Sequence, residues 1–194
     1  MKKRRSRGRR LLLLLLVFAL LAAAVVWYIR PERSLDLNYS EIRWKDKLER
    51  MIETRRPEVE LTEKELNDLA KQNLIRALQS RGELPVKITG TQFELAGHRL
   101  TVYLNGAWGA LEFGGEARYV MEYSRDRLVL IPEEVRVRSL SLPPQIFGLG
   151  KVEVDPGPFM PDPVVIRDIV FHDQQITVKL TLDWLEIARY LSSY

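Results

Sequence analysis

The chain has 194 residues, no cysteine, and 30 lysines and arginines against 26 aspartates and glutamates. Without a thiol it has no disulfide, thiolate metal site or cysteine nucleophile. Seven of the cations precede residue 11, which leaves 23 basic against 26 acidic residues in the remainder. This mildly acidic balance argues against a nucleic-acid partner.

A run of nineteen residues without charge, Leu11–Ile29, follows the basic residues 1–10. As a helix it spans roughly 28 Å, which matches the hydrocarbon core of a bilayer. Because positively charged flanks stay in the cytoplasm, we expect a single-pass anchor at the cell membrane, with the N-terminus cytoplasmic and the C-terminal domain extracytoplasmic. Trp27 and Tyr28 are predicted to lie at the membrane interface. The membrane is therefore the first predicted partner.

A cleaved signal peptide is the competing interpretation of the same run. Ala22 and Ala24 stand at the small-residue positions that precede a cleavage site. We favour the uncleaved anchor because the apolar run continues past both alanines to the two aromatic residues.

Residues 30–61 are predicted to connect the anchor to the domain. Pro31 cannot continue a helical hydrogen-bond ladder, so the membrane helix should end or kink there. Apolar residues recur at helical spacing within residues 40–56, which predicts an amphipathic helix that ends before Pro57. Since its charges are of both signs, we expect a solvated spacer that packs weakly on the domain, rather than a helix on the lipid surface.

The clearest helix signal covers residues 62–81, at the start of the predicted extracytoplasmic domain (residues 62–194). Thr62 and Glu65 form a Thr-x-x-Glu capping box, in which each side chain bonds a free amide of the first turn. Gly82 supplies a left-handed stop. One face of the helix is apolar, and its leucines are Leu66, Leu69, Leu74 and Leu78. Such a helix needs a sheet or a groove to lie against.

From Pro85 onward the apolar period changes from 3.6 to 2, which predicts short-looped strands and hence an antiparallel meander. The predicted strands are Val86–Leu95, Leu100–Asn105, Ala107–Phe113, Glu116–Tyr123, Leu128–Ile131, Val135–Leu142, Val164–Phe171 and Ile176–Leu182. A short helix, Trp184–Leu191 with Asp183 as its N-cap, is predicted to close the chain.

Glycines interrupt the predicted sheet. The apolar residues occupy even positions before Gly90 (Val86 and Ile88) and odd positions after it (Phe93 and Leu95), which indicates a β-bulge. The other sheet glycines are Gly106, Gly109, Gly114 and Gly115. We expect them to let the sheet coil around another element. The predicted fold is therefore α+β, with the long amphipathic helix packed in a curved antiparallel β-meander.

Two proline-containing loops, residues 140–150 and 155–163, break the meander. They carry Phe147, Phe159 and Met160. Apolar side chains on such loops either plug the edges of the sheet or contact the membrane or a partner protein.

No catalytic constellation is recognisable in the sequence. His98 and His172 both fall in predicted turns, and no nucleophile elbow, Walker loop or paired metal-ligand motif occurs. The adjacent acids Glu133 and Glu134 lack a partner base and are best explained as solvated surface groups. We therefore expect no enzymatic activity, no metal and no cofactor.

The order of these features resembles the YpmS-like family of bacterial membrane-anchored proteins. The resemblance is carried by the membrane span, the helix start LTEKELNDL, the strands ITGTQFELAGHRLTVYL, the strand end LSLPPQIF and the final hairpin PVVIRDIVFHDQQITVKL. More distantly, the helix–meander–helix order resembles the tubular lipid-binding (TULIP) superfamily. That likeness implies a curved sheet that wraps a helix and a groove that holds a lipid.

These observations predict a non-enzymatic domain that binds a lipid or another apolar ligand of the cell envelope. The groove would be lined by Leu66, Leu69, Leu74, Leu78, Leu100, Val102, Leu104, Tyr119 and Met121. The alternative prediction is a scaffold or assembly factor that binds another envelope protein through its sheet edges and apolar loops.

Overall fold

The computed structural model describes residues 4–80, 86–160 and 164–182. The predicted helix stop at Gly82 and the predicted C-terminal helix Trp184–Leu191, with its N-cap Asp183, lie outside the described residues. The fold class is α+β, as predicted: an apolar N-terminal helix precedes a mostly antiparallel meander that is accompanied by further helices.

The N-terminal helix α1 covers Arg4–Tyr28, so it includes most of the basic flank as well as the apolar run. Among the described residues it is the one helix long and apolar enough to cross a membrane, by length and composition alone. It ends just before Pro31, where a proline was expected to break the helix.

The segment predicted as a weakly packed spacer belongs to the core, and that prediction is wrong. Helix α2 (Trp44–Thr54) buries Leu48 and Met51 to 1% exposure each. An unpredicted strand, β1 (Glu58–Thr62), follows it. The sequence shows the apolar face of α2, but it does not show that a sheet covers that face.

A three-stranded sheet carries this core. Strand β1 pairs antiparallel with β9 (Gln175–Leu182), which pairs antiparallel with β8 (Val164–His172). The buried cluster between this sheet and α2 comprises Leu48, Met51, Val59, Leu61, Val164, Ile166, Ile169, Val178 and Leu180. The final hairpin therefore leaves the meander and forms a second sheet with β1.

Helix α3 covers Glu63–Ser80 and has the predicted capping box. The Thr62 amide donates to Glu65 Oε2 over 2.9 Å, and the Glu65 amide donates to Thr62 Oγ1 over 3.3 Å. The helix contacts β1, β9 and the first strand of the larger sheet.

The larger sheet is a meander in the order β2-β3-β4-β5-β6, and β7 also pairs with β5. The strands are β2 (Lys87–Ala96), β3 (Arg99–Trp108), β4 (Leu111–Ser124), β5 (Arg127–Val137), β6 (Leu140–Leu142) and β7 (Val152–Val154). The pairing of β2 with β3 shifts register between Ile88 and Gly90, which confirms the predicted bulge.

Two predicted strands are each divided by a turn. The predicted strand Ala107–Phe113 is split, because Gly109 takes a positive φ of 60° in the turn between β3 and β4. The predicted strand Val135–Leu142 is split at Arg138, whose φ is 55°. Conversely, β4 continues through Gly114 and Gly115, since both glycines keep their partners on β3, Asn105 and Leu104.

Candidate functional site

The predicted groove residues of the sheet share one face of it. Leu100, Val102 and Leu104 alternate along β3, and Tyr119 lies opposite Leu100 on β4. These four side chains are half-buried, whereas Met121 is buried. Burial raises the pKa of the Tyr119 phenol. The register thus places the sheet half of the predicted groove on one apolar face.

The predicted groove residues of α3 are only half-buried as well. Leu66 packs against the core cluster of the smaller sheet. The leucines of the predicted stripe are Leu66, Leu69, Leu74 and Leu78. None of the four clefts found among the described residues is lined by a predicted groove residue. A ligand groove between α3 and the sheet therefore stays a prediction.

The loop residues predicted to contact a membrane or partner have different environments. Phe147 ends a short 3₁₀ helix and is 48% exposed, and its neighbour Ile146 is 66% exposed. Met160 is half-buried and packs against the core cluster of the smaller sheet. Phe159 lies in a second short 3₁₀ helix, and its side chain is outside the described structure.

Residues 29–38, here called the crossing segment, leave α1 and run over the opposite, polar face of the larger sheet. The Gly114 amide on β4 donates to the Ile29 carbonyl over 2.9 Å. The side-chain Nδ2 atom of the buried Asn105 on β3 donates to the Arg33 carbonyl over 2.7 Å. The chain that follows the anchor is therefore bonded directly to the sheet.

The crossing segment then covers the free edge of β2. The Thr91 amide donates to the Asp36 carbonyl over 3.0 Å, and Lys71 of α3 donates to the Asp36 carboxylate over 2.9 Å. Farther along the same strand, the Phe93 amide donates to Asn67 Oδ1 over 2.9 Å. Because a free edge invites pairing with other chains, these contacts protect β2 from aggregation.

Two of the sheet glycines make room for the crossing segment. A Cβ atom at Gly90 would overlap the carbonyl oxygen of Leu35. A Cβ atom at Gly114 would lie 2.8 Å from the Cα atom of Pro31. The sequence indicated that the glycines let another element approach the sheet, but it did not indicate that the element is this segment.

A polar cleft of about 120 Å³ lies between the crossing segment and the polar face, directly after the anchor. We call it the juxtamembrane cleft. Its charged lining consists of Arg30, Arg33, Arg136, Arg138, Glu32 and Glu116. Two further acids lie against this lining, because Glu94 pairs with Arg33 and Glu134 pairs with Arg136.

Arg33 is held in place by two side chains of the sheet. Its Nη1 atom lies 2.8 Å from Glu94 Oε1, and its guanidinium lies 3.8 Å from the centre of the Tyr103 ring. The hydrogen bond to Glu94 raises the pKa of Arg33. Burial and the adjacent Glu94 raise the pKa of Tyr103. The cation therefore stays charged and oriented.

Arg138 joins the sheet to the end of the anchor. Its Nη2 atom donates to the Trp27 carbonyl over 3.4 Å, and its guanidinium lies 4.9 Å from the Trp27 ring. Its Nε atom is buried without a hydrogen-bond partner in the described structure, 3.7 Å from Glu32 Oε1. Beside it, Ser139 hydrogen-bonds Tyr28 over 3.0 Å. The predicted interface residues Trp27 and Tyr28 thus contact the domain itself.

Arg136 belongs to a network of charges that extends from the cleft across the sheet. Its Nε atom lies 2.8 Å from Glu134, which also pairs with Arg118 over 2.6 Å. The hydrogen bond from Ser141 lowers the pKa of Glu134, and the charges of Arg136 and Arg118 lower it further. These acids are paired with arginines, so no member of the network resembles a catalytic acid–base pair.

Both histidines make local contacts. His98 Nδ1 lies 3.2 Å from the Met121 carbonyl, and His172 Nε2 lies 3.2 Å from Thr177 Oγ1. In the described part of the chain, no group of three or more His, Asp or Glu side chains is placed to hold a metal ion.

No protein-family model, curated protein or solved structure matches the chain. The resemblances drawn from the sequence therefore stay predictions.

The juxtamembrane cleft was not predicted, because its arginines come from residues 30–33 and 136–138 and meet only in the folded chain. The one local signal was the pair of arginines just beyond the apolar run.

Proposed function

We propose that the chain is a single-pass membrane protein, cytoplasmic at its N-terminus, whose extracytoplasmic domain binds a lipid or another apolar ligand of the cell envelope. In this proposal the domain is non-enzymatic, needs no cofactor, and has the curved, TULIP-like groove that the sequence resemblance implies. The membrane is its partner through α1.

The observation that carries the proposal is the half-buried apolar face of β3 and β4. Leu100, Val102, Leu104 and Tyr119 share that face, and each keeps part of its surface accessible within the described structure. Covering apolar surface stabilises a complex by about 25 cal/mol per Å². An acyl chain is the ligand whose chemistry this face fits best.

The test compares Val102→Glu with Val165→Glu in the full chain. Val102 lies on the proposed binding face, while Val165 is a β8 valine that is 63% exposed. Native mass spectrometry of the detergent-purified protein should show co-purified lipid on the wild type and on Val165→Glu, and none on Val102→Glu. Finding no bound apolar molecule on the wild type would overturn the proposal.

The second candidate function is a scaffold for another envelope protein. It is favoured by Ile146 and Phe147, which are 66% and 48% exposed on the loop after β6. A photo-crosslinking residue at Phe147 should capture a defined partner in intact cells, and the same residue at Val165 should not. Equal crosslinking from both positions would exclude a specific interface.

A further inference from the structure

We propose that the juxtamembrane cleft binds the phosphate group of an anionic ligand at the level of the lipid headgroups. This is a second site, distinct from the apolar face of the proposed function. Tyr103 and Asn105 of the cleft alternate along β3 with the apolar residues Val102 and Leu104. Neighbouring residues of a strand face opposite sides of the sheet, so the two sites are separate.

The position of the cleft follows from the anchor. Arg30, Glu32 and Arg33 line it and come directly after α1, which ends at Tyr28. If α1 spans the bilayer, its aromatic end lies among the headgroups, and the cleft opens within a few residues of that level. The contacts of Arg138 with Trp27 fix the cleft to this end of the helix.

The charge and shape of the cleft fit a phosphate group. Guanidinium groups bind phosphate oxygens in pairs. Arg30 forms no ion pair within the described structure, and Arg138 Nε has no hydrogen-bond partner there, so these two arginines can bind an anion. A volume of about 120 Å³ is well above the ~10–15 Å³ that a single water needs. The lining is mainly polar, so the ligand's acyl chains would remain in the bilayer.

Two arginines of the cleft are already oriented. Arg33 is held by Glu94 and the Tyr103 ring, and Arg138 is held by Trp27. Orientation before binding reduces the entropy that a ligand must overcome. The buried Arg138 Nε atom, which lacks a hydrogen-bond partner in the described structure, is a donor that such an anion could satisfy.

The test uses the full chain in micelles that contain equal amounts of phosphatidylglycerol and phosphatidylcholine with the same acyl chains. Native mass spectrometry gives the ratio of the two lipids on the protein. We expect the wild type to retain mainly phosphatidylglycerol, and Arg138→Gln to lower the ratio about tenfold. Arg30→Gln should lower it too; within the described structure Arg30 makes no hydrogen bond or ion pair, so this variant leaves the fold intact.

The matched control is Arg99→Gln. Arg99 is an exposed arginine at the start of β3, four residues before the cleft residue Tyr103, and it does not line the cleft, so its loss removes the same charge from outside the site. The ratio should stay at its wild-type value. An equal fall in Arg99→Gln and Arg30→Gln would show a general charge effect and overturn the proposal.

A second measurement separates a lipid from a free phosphate as the source of the anion. If inorganic phosphate raises the unfolding temperature of the wild type but not of Arg30→Gln, and no lipid preference is seen, the cleft takes free phosphate. Equal retention of both lipids with no effect of phosphate would overturn the proposal. Val102→Glu should leave the lipid ratio unchanged, so the proposal for the apolar site and the proposal for this cleft are tested independently.

Discussion

Single polar residues tie the chain after the anchor to the rest of the domain. Lys71 is a lysine of α3 that is only 7% exposed, and its partner is Asp36 of the crossing segment. The hydrogen bond from Lys71, with a second from the Asn38 amide, lowers the pKa of Asp36. Because a buried lysine without an anion is strongly destabilising, this pair fixes the crossing segment against α3.

Gly90 tests the contact between the crossing segment and the sheet. Gly90→Ala should lower the free energy of unfolding by about 1–3 kcal/mol, because the new methyl group overlaps the Leu35 carbonyl. Gly150→Ala is the control, since a methyl group there meets open space. Thermal unfolding of the full chain in detergent measures both, and equal melting temperatures for the two variants would contradict the contact.

Glu65 tests the capping box of α3 through its pH dependence. Burial alone would raise its pKa, but hydrogen bonds from Lys47 and from Thr62 outweigh burial and lower the pKa below the ordinary value of 4.5. Protonation therefore favours the unfolded chain. The stability from Glu65 is complete above about pH 5 and is lost as the pH falls through the lowered pKa.

Glu65→Gln should accordingly lose about 1 kcal/mol at pH 7 and very little at pH 3. Urea unfolding of both proteins at the two pH values, in the same detergent, measures the difference. A loss that is as large at pH 3 as at pH 7 would show that the carboxylate charge is irrelevant to the cap. Glu63→Gln, on the same turn of α3, serves as the control.

The sequence predicted local features well and distant partners poorly. Thr62 and Glu65 are three positions apart in the chain, so their pattern determines the geometry of the capping box. The bulge at Gly90 was visible because the apolar residues change from even to odd positions there. That Leu35 lies against Gly90 was not predictable, because 55 residues separate them in the chain. The arginines of the juxtamembrane cleft were missed for the same reason.

At the scale of elements, α2 is the clearest departure from the sequence prediction. Its charged residues of both signs suggested a solvated helix, although its apolar face was visible. That face closes the core of the smaller sheet, which contains β1 as one strand. A helix and a strand that precede residue 62 are therefore structural parts of the folded unit.

Met51 tests this role of α2. Met51→Ala should lower the free energy of unfolding by about 2–5 kcal/mol, because the side chain is 1% exposed and its removal leaves a cavity. Ile52→Ala, next to it on the outer face at 37% exposure, should cost under about 1 kcal/mol. Calorimetry of the full chain measures both, and a spacer helix would give small and equal losses.

At the scale of the whole molecule, the anchor and the domain are joined at more than one point. Ile29 bonds β4, Ser139 bonds Tyr28, and Arg138 contacts Trp27. These contacts bring the β5–β6 turn to the end of α1. A domain fixed in this way would keep the juxtamembrane cleft close to the end of α1 and so to the bilayer surface.

The orientation of the anchor is testable because the chain has no cysteine of its own. Ser6→Cys places one thiol in the basic flank, and Gly150→Cys places one on a loop of the domain where a side chain meets open space. Since cationic flanks stay in the cytoplasm, a membrane-impermeant maleimide on intact cells should label Gly150→Cys and leave Ser6→Cys unlabelled until the membrane is permeabilised. Labelling of Ser6→Cys from outside would reverse the proposed topology. If the anchor were cleaved after Ala24, the Ser6 label would never appear on the band of the mature domain.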